Sequence, residues 1–453
     1  MGLCLLCRIS GDDPGPSCAG CIFCFANFVK KVTLVGAHLA PSMGPLKTSP
    51  ASRLPGSRRW PGGPSRPALL KQMNVRELLA LLRTNNPCSR ADLVRMSGLS
   101  APTVSSSIDY LERKKLVNRL GPGSSSGGRR PDMLAFNCSY GYVAAVDLGG
   151  STIRLALADL DGKIQGRWTV STRGNRTPQK IVALIHSGLL NLLQQTGIPR
   201  SKLLAIGLGA PGITDVHAGI VVSAPHLSGW QMVPLRELLE TKFSVPAAIE
   251  NDVNAAALGE SWAGSAKGVP NFVFLAIGTG IGAGIFIDNH LDHGSDWAAG
   301  EVGYLLVPGA ESTPVLMKNS GSLEARIGGH GIERTWRKLC EEQGDSNGNG
   351  HLRTTEIFDL ALHGNTLARN LLGSSAQILA NAVTNISLLL DTSMVVLGGA
   401  IGTSEALVRA TREIVDRNNV ARPRLAISTL GADAQLHGAI RLALHQVEAI
   451  VLG

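Results

Sequence analysis

Apolar positions change their period along this chain. Val75, Leu78, Leu79 and Leu82 recur at helical spacing and predict a first helix that Pro87 breaks. Ser89 is placed to cap a short helix containing Ala91, Leu93, Val94 and Met96, and Gly98 supplies the next turn. Ser100 caps a third helix from about Ala101 to Lys115, with Val104, Ile108 and Leu111 on its buried side. Leu116, Val117 and Leu120, a loop from Gly121 to Gly128, then Met133, Ala135 and Phe136 read as a β-hairpin. Three helices and a hairpin predict a winged helix-turn-helix over 73–137. From 138 to 453 the pattern is β/α alternation. Two strands flank a glycine turn within 142–162, a helix runs from about Pro178 to Gln195, and a last helix lies near His437 to Glu448. The expected body is α/β, in two lobes divided near 250, with its C-terminal helix returning to the first lobe.

Residues 1–72 show neither period. Clusters such as Pro61-Gly-Gly-Pro-Ser-Arg-Pro67 read as a disordered extension, or as codons included upstream of a true start at Met73. Five of the eight cysteines fall within the first 24 residues, at the spacings Cys4-x-x-Cys7 and Cys18-x-x-Cys21-x-x-Cys24. Those spacings suit a metal site, but no packed pattern surrounds the thiols, so the extension is the favoured reading. Cys88, Cys138 and Cys340 are scattered, which excludes a secreted disulfide framework and makes the cytoplasm the expected compartment. The strongest apolar run, Phe272 to Ile287, is short and glycine-rich, so no membrane partner is expected.

Hydrophobic residues at 44% and charged residues at 17% exclude wholesale disorder. The net charge of +9 is uneven: residues 1–72 carry +7, residues 73–130 carry +6, and residues 131–453 carry −4. A basic front on a mildly acidic body points to operator DNA as a partner of the front. Ser100, Pro102, Thr103, Ser105 and Ser106, with Ala101 and Ser107, keep the third helix's N-terminal face small and polar enough for a major groove. Arg113, Lys114 and Lys115 at its far end suit phosphates. The wing ends in Gly127-Gly-Arg-Arg-Pro131, and Arg129 and Arg130 suit a narrow minor groove. A module that only makes protein contacts is the bland alternative.

In the body, Asp147-Leu-Gly-Gly-Ser-Thr152 ends a buried strand. Gly149 and Gly150 permit a tight turn whose N–H groups face phosphate oxygens, with Ser151 and Thr152 beside them and Asp147 placed to hold a hydrated Mg²⁺. A second glycine turn, Gly278-Thr279-Gly280-Ile-Gly282-Ala-Gly284, follows the strand Phe272 to Ile277. A third, Gly398-Gly399-Ala400, follows the strand Met394 to Leu397. Any one of these turns is a weak signal. Three strand-then-glycine turns in one α/β body point to a nucleotide site.

Taken with Gly209-Ala-Pro-Gly212, Glu250-Asn-Asp-Val-Asn-Ala-Ala-Ala-Leu-Gly-Glu260 and Gly300-Glu-Val-Gly303, these turns closely resemble the ROK family (repressors, open reading frames and sugar kinases) over roughly residues 73–453. The resemblance implies a two-lobed actin-like ATPase fold. It also implies that Asn251, Asp252, Glu301 and Glu324 ring a sugar, and that Asp252 is the base in kinase members. Phosphoryl transfer needs such a carboxylate to accept the hydroxyl proton. A carboxylate that merely caps the helix Val253 to Glu260 is the alternative for Asp252. The family's regulators carry the winged helix, and its free-standing kinases lack it.

One segment departs from the family pattern. Members usually carry Gly-Glu-x-Gly-His, then Cys-x-Cys-Gly-x-x-Gly-Cys-x-Glu, whose His and three Cys bind structural zinc. Here Tyr304 stands in the His place, and with Glu324 as anchor the cysteine places hold Val315, Met317 and Ser322. No zinc is expected, and Tyr304 replaces the usual His contact to the sugar. The expected function is a sugar-responsive transcriptional repressor acting as a homodimer or tetramer, with no required cofactor and Mg-ATP as an optional one. The alternative is an ATP-dependent sugar kinase with a fused DNA-binding module.

Overall fold

A computed structural model describes residues 66–452, apart from 124–129, 175, 225–226, 308–320, 345–348 and 418–420. The cysteine-rich start, Arg129 of the wing, and Val315 and Met317 lie outside the described residues. The first helix, α1 (Arg66–Thr84), begins upstream of Met73, so the periodic chain starts earlier than its apolar stripe indicates. That stripe is buried throughout. Ser89 caps α2 (Arg90–Ser97) in a reciprocal box with Asp92, and Gly98 closes it in the left-handed conformation. Ser100 caps α3 (Ala101–Arg113). Strands β2 (Val117–Pro122) and β3 (Asp132–Phe136) pair antiparallel, and an unforeseen short strand, β1 (Cys88–Ser89), pairs with β3.

The body holds two five-stranded mixed sheets built to one plan. In the first, β4 (Tyr142–Leu148), β5 (Thr152–Asp159) and β6 (Ile164–Ser171) form an antiparallel meander. Beyond α4 (Pro178–Thr196), β7 (Leu203–Ala210) lies parallel to β4. A small sheet of β8 (Ile213–Asp215), β9 (Ile220–Ser223) and β10 (Gln231–Val233) and helix α5 (Leu235–Phe243) lead to β11 (Ala247–Asn251), parallel to β7. β4 is buried along nearly its whole length because helices cover both faces, whereas the edge strand β6 alternates. Helix α6 (Asp252–Ala263) follows directly on β11.

The second sheet repeats the scheme. β12 (Phe272–Ile277), β13 (Ile281–Ile287) and β14 (His290–Asp292) form a meander. Then come α7 (Ser322–Ile327), α8 (Gly329–Glu342), α9 (Thr354–Leu362) and α10 (Thr366–Leu390). β15 (Met394–Gly398) lies parallel to β12, and after α11 (Gly399–Gly402) and α12 (Glu405–Val415) comes β16 (Arg424–Ile427), parallel to β15. The β4–β5 and β12–β13 glycine turns therefore occupy equivalent places in the two sheets.

The last helix, α13 (Ala434–Leu452), packs on α6, β4 and β7 of the first sheet. Glycines permit this backbone contact: a Cβ on Gly438 would stand 1.7 Å from the Ala255 carbonyl oxygen, and one on Gly207 would stand 1.9 Å from that of Ala439. The outer face of α13 shares one apolar core with the front module, in which Leu78, Leu111 and Phe136 join Ile440, Leu444 and Val447. Among the described residues no helix is long and apolar enough to cross a membrane.

Candidate functional site

The β11–α6 junction carries the central acids. Asn251 caps α6, its Oδ1 accepting from Val253 N–H (2.9 Å) and Asn254 N–H (3.0 Å), while Nδ2 donates to the Gly212 carbonyl (3.0 Å). The capping role weighed for Asp252 thus belongs to Asn251, and the helix starts at Asp252. Asp252 Oδ1 accepts the adjacent Val253 N–H at 2.9 Å. Burial raises the Asp252 carboxyl to about pH 7, and the nearby Asp147 and Glu301 carboxylates push it the same way. Glu301 is exposed at the rim, but partial desolvation, then the Glu324 carboxylate, raises its pKa too. Asp147 on β4, Asp252 at the start of α6, Glu301 beyond β14 and Glu324 on α7 thus make a line of neighbouring carboxylates. Such a line of acceptors suits the donor hydroxyls of a polyol.

Glu324, on α7, also holds the second glycine turn, its Oε2 accepting from Ile281 N–H at 3.0 Å. Tyr304 ends a short 3₁₀ turn and is 48% exposed, so its hydroxyl is not locked in the core. Ser322 opens α7, its hydroxyl accepting from Val307 N–H at 3.2 Å. Among the described residues no three metal-binding side chains converge.

The glycine turns divide into exposed and closed parts. Gly149 N–H closes its own turn onto the Thr152 carbonyl (2.9 Å), and Gly278 N–H closes onto Gly280 (2.9 Å). Gly150, Ser151, Thr152, Thr279 and Gly280 are exposed. A Cβ on Gly282 would meet Val253, and one on the buried Gly398 would meet the Phe274 ring. Gly399 is exposed and left-handed, with the Ile277 carbonyl 2.4 Å from where a Cβ would stand. For Mg-ATP the fit is partial. The exposed turns suit phosphate oxygens, but the buried Asp147 carboxylate, the expected Mg²⁺ holder, is paired with Arg154. Arg154 also approaches Asp433, which pairs with Arg167 at 2.9 Å.

Sequence reasoning missed Glu250 and His293. Glu250 is 3% exposed; its Oε1 accepts from Asn251 N–H (2.9 Å) and Asn254 Nδ2 (3.2 Å), and its Oε2 meets His293 Nε2 at 2.8 Å. That bond to Glu250 raises the His293 pKa despite burial. Glu250 already stood inside the Glu250-Asn-Asp motif, but nothing local points to a partner 43 residues away.

In the front module, Pro102 and Ser106 are exposed and Thr103 half-buried on the N-terminal face of α3, and Ser100 bonds Thr103. Ser105 is half-buried and accepts from Arg90 (3.3 Å), while Ser107 is buried and leaves the expected groove face. Arg130, Arg113, Lys114 and Lys115 are exposed.

Comparison with known proteins fits this geometry. A xylose repressor of Caldicellulosiruptor bescii is 29% identical over 78% of this chain and 89% of its own. A glucokinase of Halalkalibacterium halodurans is 30% identical over 66% of this chain and 93% of its own. The structure of a ROK family transcriptional regulator, a homologue of the E. coli MLC protein, superposes with a TM-score of 0.71 at 21% identity, over 84% of this chain and 99% of its own, a likeness of fold. The ROK family profile matches residues 143–446, the span that holds both sheets, the glycine turns and the acidic line, and this chain belongs to the ROK family.

Proposed function

We propose that this chain is a sugar-responsive transcriptional repressor whose α1–α3 and β1–β3 module is a winged helix-turn-helix gripping operator DNA. The fusion carries the reading. Similarity to the xylose repressor covers 78% of the chain, more than residues 138–453 make up, while similarity to the glucokinase covers 66% and is accounted for by the body. Asn251 and Asp252 at the end of the first sheet, with Glu301, Tyr304 and Glu324 of the second, contact the effector. A sugar that bonds both groups favours the closed arrangement of the lobes over the open one, and that difference drives release of DNA. The protein acts as a homodimer or tetramer, its two-fold matching repeated half-sites.

Mobility shifts with genomic fragments selected by the full chain, titrated with xylose and with glucose, test this reading. Asp252→Asn retains DNA binding but needs about ten- to a hundredfold more sugar for release, because a charge-assisted acceptor is lost. A variant that releases DNA at wild-type sugar concentrations would falsify the assignment. The kinase reading has one observation in its favour: a carboxyl raised to about pH 7 is matched to general-base work. ATP-dependent sugar phosphorylation that disappears in Asp252→Asn, in a chain whose DNA binding ignores sugar, decides for it.

A further inference from the structure

The second sheet's meander borders a solvent-open pocket of 410 Å³, a volume within the range of about 300–1,000 Å³ typical of small-molecule sites. None of the four acids lines it. Its walls include His217 from the β8–β9 turn and His290, Leu291, Asp292, His293 and Trp297 from β14 and the segment after it. Trp297 holds a left-handed backbone conformation, φ 62°, which is rare for a bulky residue and merits a functional account.

The segment is pinned on both sides of that residue. Ala299 N–H donates to the His293 carbonyl (3.3 Å), and Ala283 N–H donates to that of Gly300 (2.7 Å). Two imidazoles meet the indole nearly edge-on, His217 at 4.9 Å and His293 at 5.6 Å between ring centroids. His290 Nδ1 donates to the Asp288 carbonyl (2.8 Å), which leaves its Nε2 as an acceptor. One oxygen of Asp292 accepts from Gly294 N–H (2.8 Å). His217 is exposed, and among the described residues its ring pairs with no aromatic ring besides Trp297.

We propose that this pocket is a second carbohydrate subsite, taking one glycosyl ring with its C–H face on the Trp297 indole. An indole offers a broad apolar face of negative potential, which suits the axial C–H groups of a sugar ring. Imidazoles supply both donors and acceptors for the equatorial hydroxyls, and a carboxylate supplies an acceptor. The pocket is tied to the contact turn by one residue pair, since His293 bonds Glu250 and Glu250 holds Asn251 N–H. The proposal rests on the sugar-sensing reading and extends it from one ring to two, either joined in a disaccharide or bound as separate saccharides.

Calorimetric titration of the full chain with xylose, glucose, xylobiose and cellobiose tests it, using wild type, Trp297→Ala, Trp297→Phe and Asp252→Asn. At least one disaccharide should bind about tenfold more tightly than its monosaccharide. Trp297→Ala should erase that advantage while leaving monosaccharide affinity within about twofold, and Trp297→Phe should keep most of it. Rescue by Phe separates a stacking role from mere loss of fold. A second, separate saccharide equilibrium that survives Asp252→Asn but not Trp297→Ala identifies an independent ring in the pocket; loss of the disaccharide advantage alone in Trp297→Ala identifies one two-ring ligand. The proposal is overturned if Trp297→Ala changes no affinity, or if none of the four saccharides binds. Either result leaves the sensing reading to be judged by the DNA-release assay on Asp252→Asn.

Discussion

Asp252 gives stability a pH dependence whose sign is fixed by its environment. Its folded pKa, about 7, lies above the ordinary carboxylate value of 3.8. The neutral form is thus favoured by folding, so this contribution is fully present below about pH 4 and is lost as pH rises towards 7. The loss is at most about 4 kcal/mol, less whatever solvent reaches the exposed part of the side chain. Asp252→Asn should therefore flatten the profile and be the more stable protein at pH 8, with little difference at pH 4. Urea unfolding at the two pH values measures this; a variant less stable than wild type at pH 8 would contradict the desolvated placement of the acid.

Between elements, the closest contacts are backbone to backbone, and glycines set them. Gly438 on α13 faces the Ala255 carbonyl of α6 so closely that any Cβ must part the helices. Gly438→Ala should cost about 1–3 kcal/mol or more. Gly373, exposed on α10 with nothing within 4 Å of its absent Cβ, makes the opposite case. Gly373→Ala should add about 0.5–1 kcal/mol through helix propensity alone. Thermal unfolding of the two variants should shift the midpoint in opposite directions, and a shared direction would remove close packing as the cause. Both residues are helical glycines in the sequence, and only the neighbouring element tells them apart.

At the scale of the whole molecule, Arg83 bolts the front module to the body. Its guanidinium donates to Glu448 of α13 (3.1 Å) and to the Leu160 carbonyl (2.9 Å), and lies 5.3 Å from the centroid of the Phe136 ring. Since α13 packs along α6, which starts at the Asn251–Asp252 turn, packed helices connect the proposed effector contacts to the proposed DNA-binding module. Arg83→Ala removes charge-assisted hydrogen bonds that contribute about 1.5–3 kcal/mol. Hydrogen exchange of α1–α3 should quicken, while sugar affinity stays near wild type and sugar-driven release of DNA weakens. Unchanged exchange in α1–α3 would show that the shared apolar core alone holds the module.

Local chemistry was enough to read much of this protein from its sequence. The caps at Ser89 and Ser100 and the strand-ending glycine turns are set by residues within a few positions of one another, so their pattern carries them, whereas the Asn251–Asp252 pair comes from the resemblance to the ROK family. The antiparallel meanders follow from local alternation, but the duplicated sheet plan needs parallel pairings between strands far apart in sequence, such as Phe272 with Met394. What the tertiary structure decided depends on distant partners. Arg154 takes the Asp147 carboxylate across a strand pair, His293 reaches Glu250 from the other sheet, and Trp297 meets His217 across 80 positions. The same holds for glycines: only the fold shows that Val253 and Phe274 leave no room for a Cβ at Gly282 and Gly398. Periodicity reports which face of an element is buried, but which side chain waits on the other side is set by how the chain closes on itself.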